Sequence, residues 1–143
     1  MSRHFRFDGT WLVDAPYDQV YERLADLEHY PLWWPEVRAI ARTGDRSARV
    51  LIRSRLPYTM DLDLTATDQR PDRLESALSG ALTGWARWTL TGEGQSTRVT
   101  FAQEVDVNGW LFRCAAVAAR PLLVWNHEQM MRSAVRHLTD PRP

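Results

Sequence analysis

Hydrophobic and polar residues alternate along most of this chain, and the alternation is interrupted in two places. Phe5, Phe7, Gly9, Trp11 and Val13 stand against Arg6, Asp8 and Thr10. That period of two predicts a half-buried strand over residues 3–13. The period then lengthens. Asp14 is placed to cap a helix with Pro16 near its first position, where a missing amide proton costs nothing. Val20, Tyr21 and Leu24 form the apolar stripe of that helix. A second short helix is predicted from Glu28 to Trp34, interrupted by Pro31 and ended by Pro35. Trp33 and Trp34 are adjacent on it, so one is expected to pack and the other to be partly exposed.

Alternation then resumes. Strands are predicted at Val37–Thr43, Ala48–Leu56, Tyr58–Gln69, Arg73–Gly80, Leu82–Thr91 and Thr97–Val107. The turns between them carry Gly44-Asp45, Leu56-Pro57, Pro71-Asp72 and Gly92–Gly94. Met60, Leu62, Leu64 and Ala66 oppose Asp61, Asp63 and Thr65, and Val99, Phe101, Gln103 and Val105 oppose Arg98, Thr100, Glu104 and Asp106. One dry and one wet face per strand, with short connections, predicts an antiparallel meander. After Asn108-Gly109 the period returns to that of a helix, from Trp110 to about Leu138, with a kink or break expected near Arg120 because of Pro121. Leu123, His127, Met130, Met131, Ala134 and Leu138 share one face of its second half, and Glu128, Arg132 and Arg136 the other. The tail Asp140–Pro143 is expected to fray.

Composition narrows the function classes. At 143 residues the chain is expected to form one domain over 1–143 and to bury a real core. Eighteen basic residues balance eighteen acidic ones, so there is no electrostatic footprint for nucleic acid. All the basic residues are arginine. Without lysine, Schiff-base chemistry on a side-chain amine and a Walker-type phosphate loop are excluded. The single cysteine, Cys114, allows no intrachain disulfide and reads as a buried, inert thiol. The opening MSRHFRF lacks the apolar core of a secretory signal, and no window predicts stable membrane insertion. A cytoplasmic location is expected.

Val13-Asp14-Ala15-Pro16, Val20-Tyr21, Leu24-Ala25-Asp26 and Tyr30-Pro31-Leu32-Trp33-Trp34-Pro35 resemble the N-terminal signature of the START/birch-pollen-allergen-like helix-grip superfamily. Arg120-Pro121-Leu122 and Trp125-Asn126-His127 are similar to the end of its bacterial polyketide cyclase/dehydrase-like branch. The resemblance covers nearly the whole chain. It implies an α+β helix-grip fold: a curved antiparallel sheet of about seven strands around a long C-terminal helix, with two short helices after the first strand. It also implies a cavity between sheet and helix that takes a small hydrophobic ligand such as a lipid, isoprenoid or polyketide.

Residues expected to line that space are Trp11, Trp34, Val50, Ile52, Met60, Leu62, Leu82, Trp88, Phe101, Leu123 and Met130. Taken one at a time, each is more often simply core. Stacking of Trp33 or Trp34 on a flat ligand competes with plain anchoring of the short helix. Gln103 and Asn126 could orient a ligand carbonyl or hydroxyl, and Tyr58 could place a phenol at the rim. His127 is the candidate general acid/base, although a lone histidine on an apolar face is more often structural. No convincing acid/base pair accompanies it. His4, His29, His127 and His137 lack metal-ligand spacing, and no metal or other cofactor is predicted. There is no Gly-x-Ser-x-Gly motif, and Gly92-Glu93-Gly94 reads as a hairpin turn. Three classes remain open: a binding protein, a polyketide cyclase/dehydratase using His127, and an interaction module such as a homodimer through exposed Trp33, Trp110 or Trp125.

Overall fold

The computed structural model describes residues 4–53, 59–108 and 120–139. Seven strands form one antiparallel sheet: β1 (His4–Val13), β2 (Val37–Arg42), β3 (Ser47–Ile52), β4 (Met60–Arg70), β5 (Arg73–Gly80), β6 (Leu82–Glu93) and β7 (Ser96–Val107). Their order is β1-β7-β6-β5-β4-β3-β2. The last six make the predicted meander, and β1 is added beside β7. Chain neighbours β1 and β2 therefore lie at opposite edges of the sheet. The link between them carries α1 (Tyr17–Ala25), a 3-10 turn (Leu27–His29) and α2 (Tyr30–Trp33). The final helix, α3, spans Arg120–His137 among the described residues.

Period-two patterning becomes a two-faced sheet. Thr97, Val99, Phe101, Gln103, Val105 and Val107 are buried along β7, and Arg98 and Asp106 between them are exposed. The carboxylate of Asp61, on the outer face of β4, pairs with Arg49 of the neighbouring strand at 2.5 Å. Two irregularities bend the ladder, one between Val37 and Ala39 on the edge strand β2 and one between Ala66 and Asp68 on β4. Such bulges add local twist and bend the strand that carries them. The second also reverses the parity of β4. Ala66 lies opposite Ser76, but Gln69 rather than Asp68 lies opposite the buried Leu74.

Glu93 pairs with Ser96, so the β6–β7 turn is tighter than the predicted Gly92–Gly94 segment, with Gly94 at a φ of 67°. Gly84 meets a different requirement. A Cβ there would fall 1.9 Å from the carbonyl oxygen of Glu104 on the neighbouring strand, so only glycine permits that approach.

Two local expectations are corrected. Asp14 does not cap α1. The helix begins at Tyr17, its N-cap position is Pro16 with φ −62° and ψ 150°, and no side chain caps it. Asp14 and Ala15 are used in the preceding turn, where the Ala15 amide donates to the Val13 carbonyl at 2.9 Å. Nor do Trp33 and Trp34 divide into one packed and one exposed ring. Both are buried, with stacked rings whose centroids are 5.7 Å apart. The spacing rule fails because α2 is a single turn. Trp34 has already left it, with φ −111° and ψ 100°.

The face expected on the C-terminal helix is the one it uses: Met131, Ala134 and Leu138 are buried, and Glu128, Arg132 and Arg136 exposed. The end of that helix is tied down by a residue that sequence reading passed over. Arg23 of α1 is buried and donates from Nη1 to the carbonyls of His137 and Leu138 at 3.0 and 3.2 Å. A cation there satisfies helix-terminal carbonyls and opposes the negative end of the helix dipole. Tyr58, Trp110, Cys114, the Leu56-Pro57 turn, the first half of the predicted C-terminal helix and the tail lie outside the described residues.

Candidate functional site

The inner sheet face and α3 enclose two adjoining cavities. The first, of about 130 Å³, is walled by aliphatic residues of β3 to β5 together with Trp34, Trp88 and Phe101, with Asp68, Gln69, Glu75 and Ser76 at one end of β4 and β5. The second, of about 100 Å³, lies towards Phe5, Phe7, Met60, Leu82, Leu123 and Asn126. Ile52, Leu62, Gln103, His127 and Met130 line both.

Strand register assembles the wall. Phe7 of β1 and Ala86 of β6 both lie opposite Gln103 of β7, and Trp88 lies opposite Phe101. Gln103 thus has an aromatic ring on one side and a methyl group on the other. His127 descends from α3 onto this row. Its ring stacks on Phe7, with centroids 3.8 Å apart and planes 14° apart, and tilts against Phe101 at 5.9 Å. Its Nε2 lies 2.9 Å from Gln103 Oε1. With Nε2–H donating to that amide oxygen, Nδ1 keeps its lone pair and the ring is neutral.

Burial among aromatic rings has an electrostatic consequence. It disfavours the imidazolium and pushes the pKa of His127 from 6.5 down to about 4. At neutral pH the side chain is an uncharged hydrogen-bonding group. A general base works best with a pKa near the operating pH, so this imidazole is poorly matched to proton transfer at pH 7.

The short helix closes the other side. Trp34 donates from Nε1 to the Met130 carbonyl at 3.2 Å, fastening α2 to α3. Tyr30 donates to the Leu24 carbonyl at 2.5 Å, and burial raises its phenol well above the ordinary range. Trp34 meets Trp88 edge-on at 6.4 Å, and Trp88 meets Phe101 at 4.8 Å. The aromatic wall is therefore continuous from α2 to β7.

Ten of the expected lining residues of the sheet and helices meet around this space: Trp34, Val50, Ile52, Met60, Leu62, Leu82, Trp88, Phe101, Leu123 and Met130. Gln103, Asn126 and His127 join them. Trp11 does not line either cavity. It folds back along β1, and a Cβ at Gly9 would meet its ring at 2.6 Å. Trp33, expected on an interaction surface, is buried, while Trp125 is 42% exposed. Phe7 and Tyr30 were overlooked as parts of the site. Phe7 could have been found, because the alternation of β1 puts it on the same face as Phe5 and Trp11. Among the described residues, no group of His, Cys, Asp and Glu side chains could hold a metal ion, and no helix is long and apolar enough to cross a membrane.

The family described as polyketide cyclase / dehydrase and lipid transport matches residues 4–139. The chain belongs to that family. Solved structures agree on the fold. A START superfamily protein from Mycobacterium smegmatis is similar at a TM-score of 0.73 and 16% identity, covering 93% of each chain. The Zhui aromatase/cyclase from Streptomyces sp. R1128 is similar at a TM-score of 0.77 and 15% identity, covering 94% of this chain and 91% of that one. A conserved protein from Geobacillus kaustophilus is similar at 0.75 and 13% identity, covering 97% and 98%. Comparison with curated proteins found no match. At these identities the structural neighbours establish the helix-grip architecture and leave the ligand open.

Proposed function

We propose that this chain binds a small hydrophobic or amphipathic molecule, of lipid, isoprenoid or polyketide type, between the inner sheet face and α3. The observation that carries the reading is a largely apolar, aromatic-walled enclosure in which Gln103 and His127 form a hydrogen-bonded pair lining both cavities. Apolar walls with a few placed polar groups are the usual composition of a small-molecule site. Trp34, Ile52, Met60, Leu62, Trp88, Phe101, Leu123 and Met130 supply contact, and Gln103, Asn126 and His127 supply orientation. A neutral imidazole suits that role, because it adds direction without the cost of a buried charge.

The competing reading is a polyketide cyclase/dehydratase with His127 as acid/base, favoured by the position of the imidazole on both cavity walls. Its depressed pKa weighs against it. A third reading, a homodimer or other interaction module, has only the half-exposed Trp125 in its favour.

Native mass spectrometry of the freshly purified protein, with and without the neutral fluorophore N-phenyl-1-naphthylamine, tests the proposal. An apolar adduct or saturable uptake of the fluorophore is expected. Ala86 lines the first cavity, so Ala86→Leu should lower uptake about tenfold by filling it. Uptake that ignores Ala86→Leu, or a protein that takes up nothing, would defeat the reading, and a concentration-dependent mass without uptake would favour the interaction module. If a polyketide is turned over and His127→Ala abolishes turnover while sparing affinity, the enzyme reading replaces it.

A further inference from the structure

The cavities share part of their wall with a polar cleft of different chemistry. Asn126 and Met130, one helical turn apart on α3, line both the second cavity and a neighbouring cleft of about 200 Å³. The boundary is drawn again on the sheet side. Ile52 faces the cavities while the next residue, Arg53, faces the cleft, and Val37 lines the first cavity while Glu36 lines the cleft. The backbone amide of Arg53 donates to the Glu36 carbonyl at 2.8 Å, which holds these two positions together. The cleft thus lies beside the cavities, between the start of β2, the end of β3 and α3.

Three arginines, Arg38, Arg53 and Arg136, line that cleft, with Gln129 and Ser133 beside them. The charge count is three arginines minus Glu36, a local excess of two positive charges. This departs from a chain whose eighteen basic and eighteen acidic residues cancel. Many surface arginines are matched, as in Arg42 with Glu28, Arg70 with Asp68 and Arg87 with Glu75. The three in this cleft are not. Glu36 leaves its Oε2 buried without a hydrogen-bond partner, and Arg38, Arg53 and Arg136 form no ion pair among the described residues. Guanidinium groups without a carboxylate partner remain available to an anion from outside.

Resting on the binding function proposed above, we infer that the ligand is an amphipathic anion. Its apolar body fills the cavities beside Met130, and its carboxylate or phosphate end lies in the Arg38, Arg53 and Arg136 cleft. Gln129 and Ser133 can complete its hydrogen bonds, and Glu36 limits how much negative charge the cleft accepts.

The test is displacement of N-phenyl-1-naphthylamine by four ligands sharing one chain: dodecanoate, dodecyl phosphate, dodecanol and dodecylamine, each below its micelle concentration. Dodecanoate or dodecyl phosphate should displace the fluorophore at about a tenfold lower concentration than dodecanol, the size expected for a few exposed charge-assisted contacts. Which of the two is stronger distinguishes a carboxylate from a phosphate end. Dodecylamine should be the weakest. In the double variant Arg53→Gln/Arg136→Gln the acid-to-alcohol ratio should collapse towards one. Glu36→Gln should widen it severalfold, an effect that mere damage to the site would not produce. Circular dichroism melting checks that each variant is folded. Equal displacement by acid and alcohol in the parent protein overturns the anionic ligand and leaves the cavity reading intact. A parent protein that takes up neither fluorophore nor chain overturns both.

Discussion

The most exacting prediction concerns the proton on His127. Its ring is stacked on Phe7 at 3.8 Å and bonded to Gln103 at 2.9 Å, and burial lowers its pKa from 6.5 to about 4. In the unfolded chain the same imidazole titrates near its ordinary value. Between those two values the unfolded state therefore binds the proton and the folded state does not, so stability falls as the pH falls. The contribution is fully present above pH 6.5 and is lost progressively as the pH drops towards 4. A difference of about 2.5 pKa units corresponds to about 3 kcal/mol in total. Linkage puts about 1 kcal/mol of that loss at pH 5.5 and roughly twice as much at pH 4.5, relative to pH 7.5.

Urea denaturation of the parent protein and His127→Gln across pH 4.5–7.5 reads this directly. Glutamine keeps a polar partner for Gln103 and cannot titrate. The exposed His4 and His29, each beside an aspartate, are common to both proteins and cancel in the difference. The gap between the two stability curves should shift by about 2 to 3 kcal/mol, closing or changing sign, on going from pH 7.5 to 4.5. A ring resonance titrating near pH 4 in an NMR experiment would be the site-specific counterpart. A flat difference curve, or an imidazole titrating at or above 6.5, would refute the reasoning. It would also restore His127 as a candidate general base at neutral pH.

Two further perturbations probe the frame that holds the site. Gly84→Ala places a Cβ 1.9 Å from the Glu104 carbonyl. It should cost about 3 kcal/mol and lower the melting midpoint by about 10 °C, and a variant that melts like the parent would show that β6 and β7 can separate there. Arg23→Met removes the donor to the His137 and Leu138 carbonyls while keeping an apolar stem. A loss of about 2 kcal/mol in urea denaturation is expected, and no loss would mean that the end of α3 is held by packing alone.

Much of the architecture is local information, and local information is legible in a sequence. Alternation along Phe5 to Val13, Met60 to Ala66 and Val99 to Val105 marked strands and named their buried faces, because the side-chain period of a strand is two wherever the strand lies. The helical period of Leu123 to Leu138 marked the face that α3 turns to the sheet. Among the described residues, glycine and proline punctuation placed the turns at Gly44-Asp45, Pro71-Asp72 and Gly92–Gly94 to within a few residues. The candidate site was legible to the same depth: inward residues such as Ile52, Leu62, Trp88 and Phe101 could be named without knowing what they would meet.

What they meet was decided in three dimensions. Trp33 and Trp34 are both buried because a one-turn helix ends between them, and helix length depends on the packing that terminates it. Trp11 turns onto Gly9 instead of the cavity, although its parity is the same as that of Phe7. The bulge at Ala66–Asp68 exchanges the faces of Asp68 and Gln69, which no unbroken alternation can foretell. The His127–Gln103–Phe7 cluster joins residues up to 120 positions apart through the β1–β7 register and the docking of α3. Arg23 reaches the end of α3, and Glu36, Arg38, Arg53 and Arg136 converge on one cleft, for the same reason. Periodicity reports the environment of one element at a time, whereas burial of an imidazole, the pairing of a guanidinium and the boundary of a cavity depend on distances between elements, which only the packed chain defines.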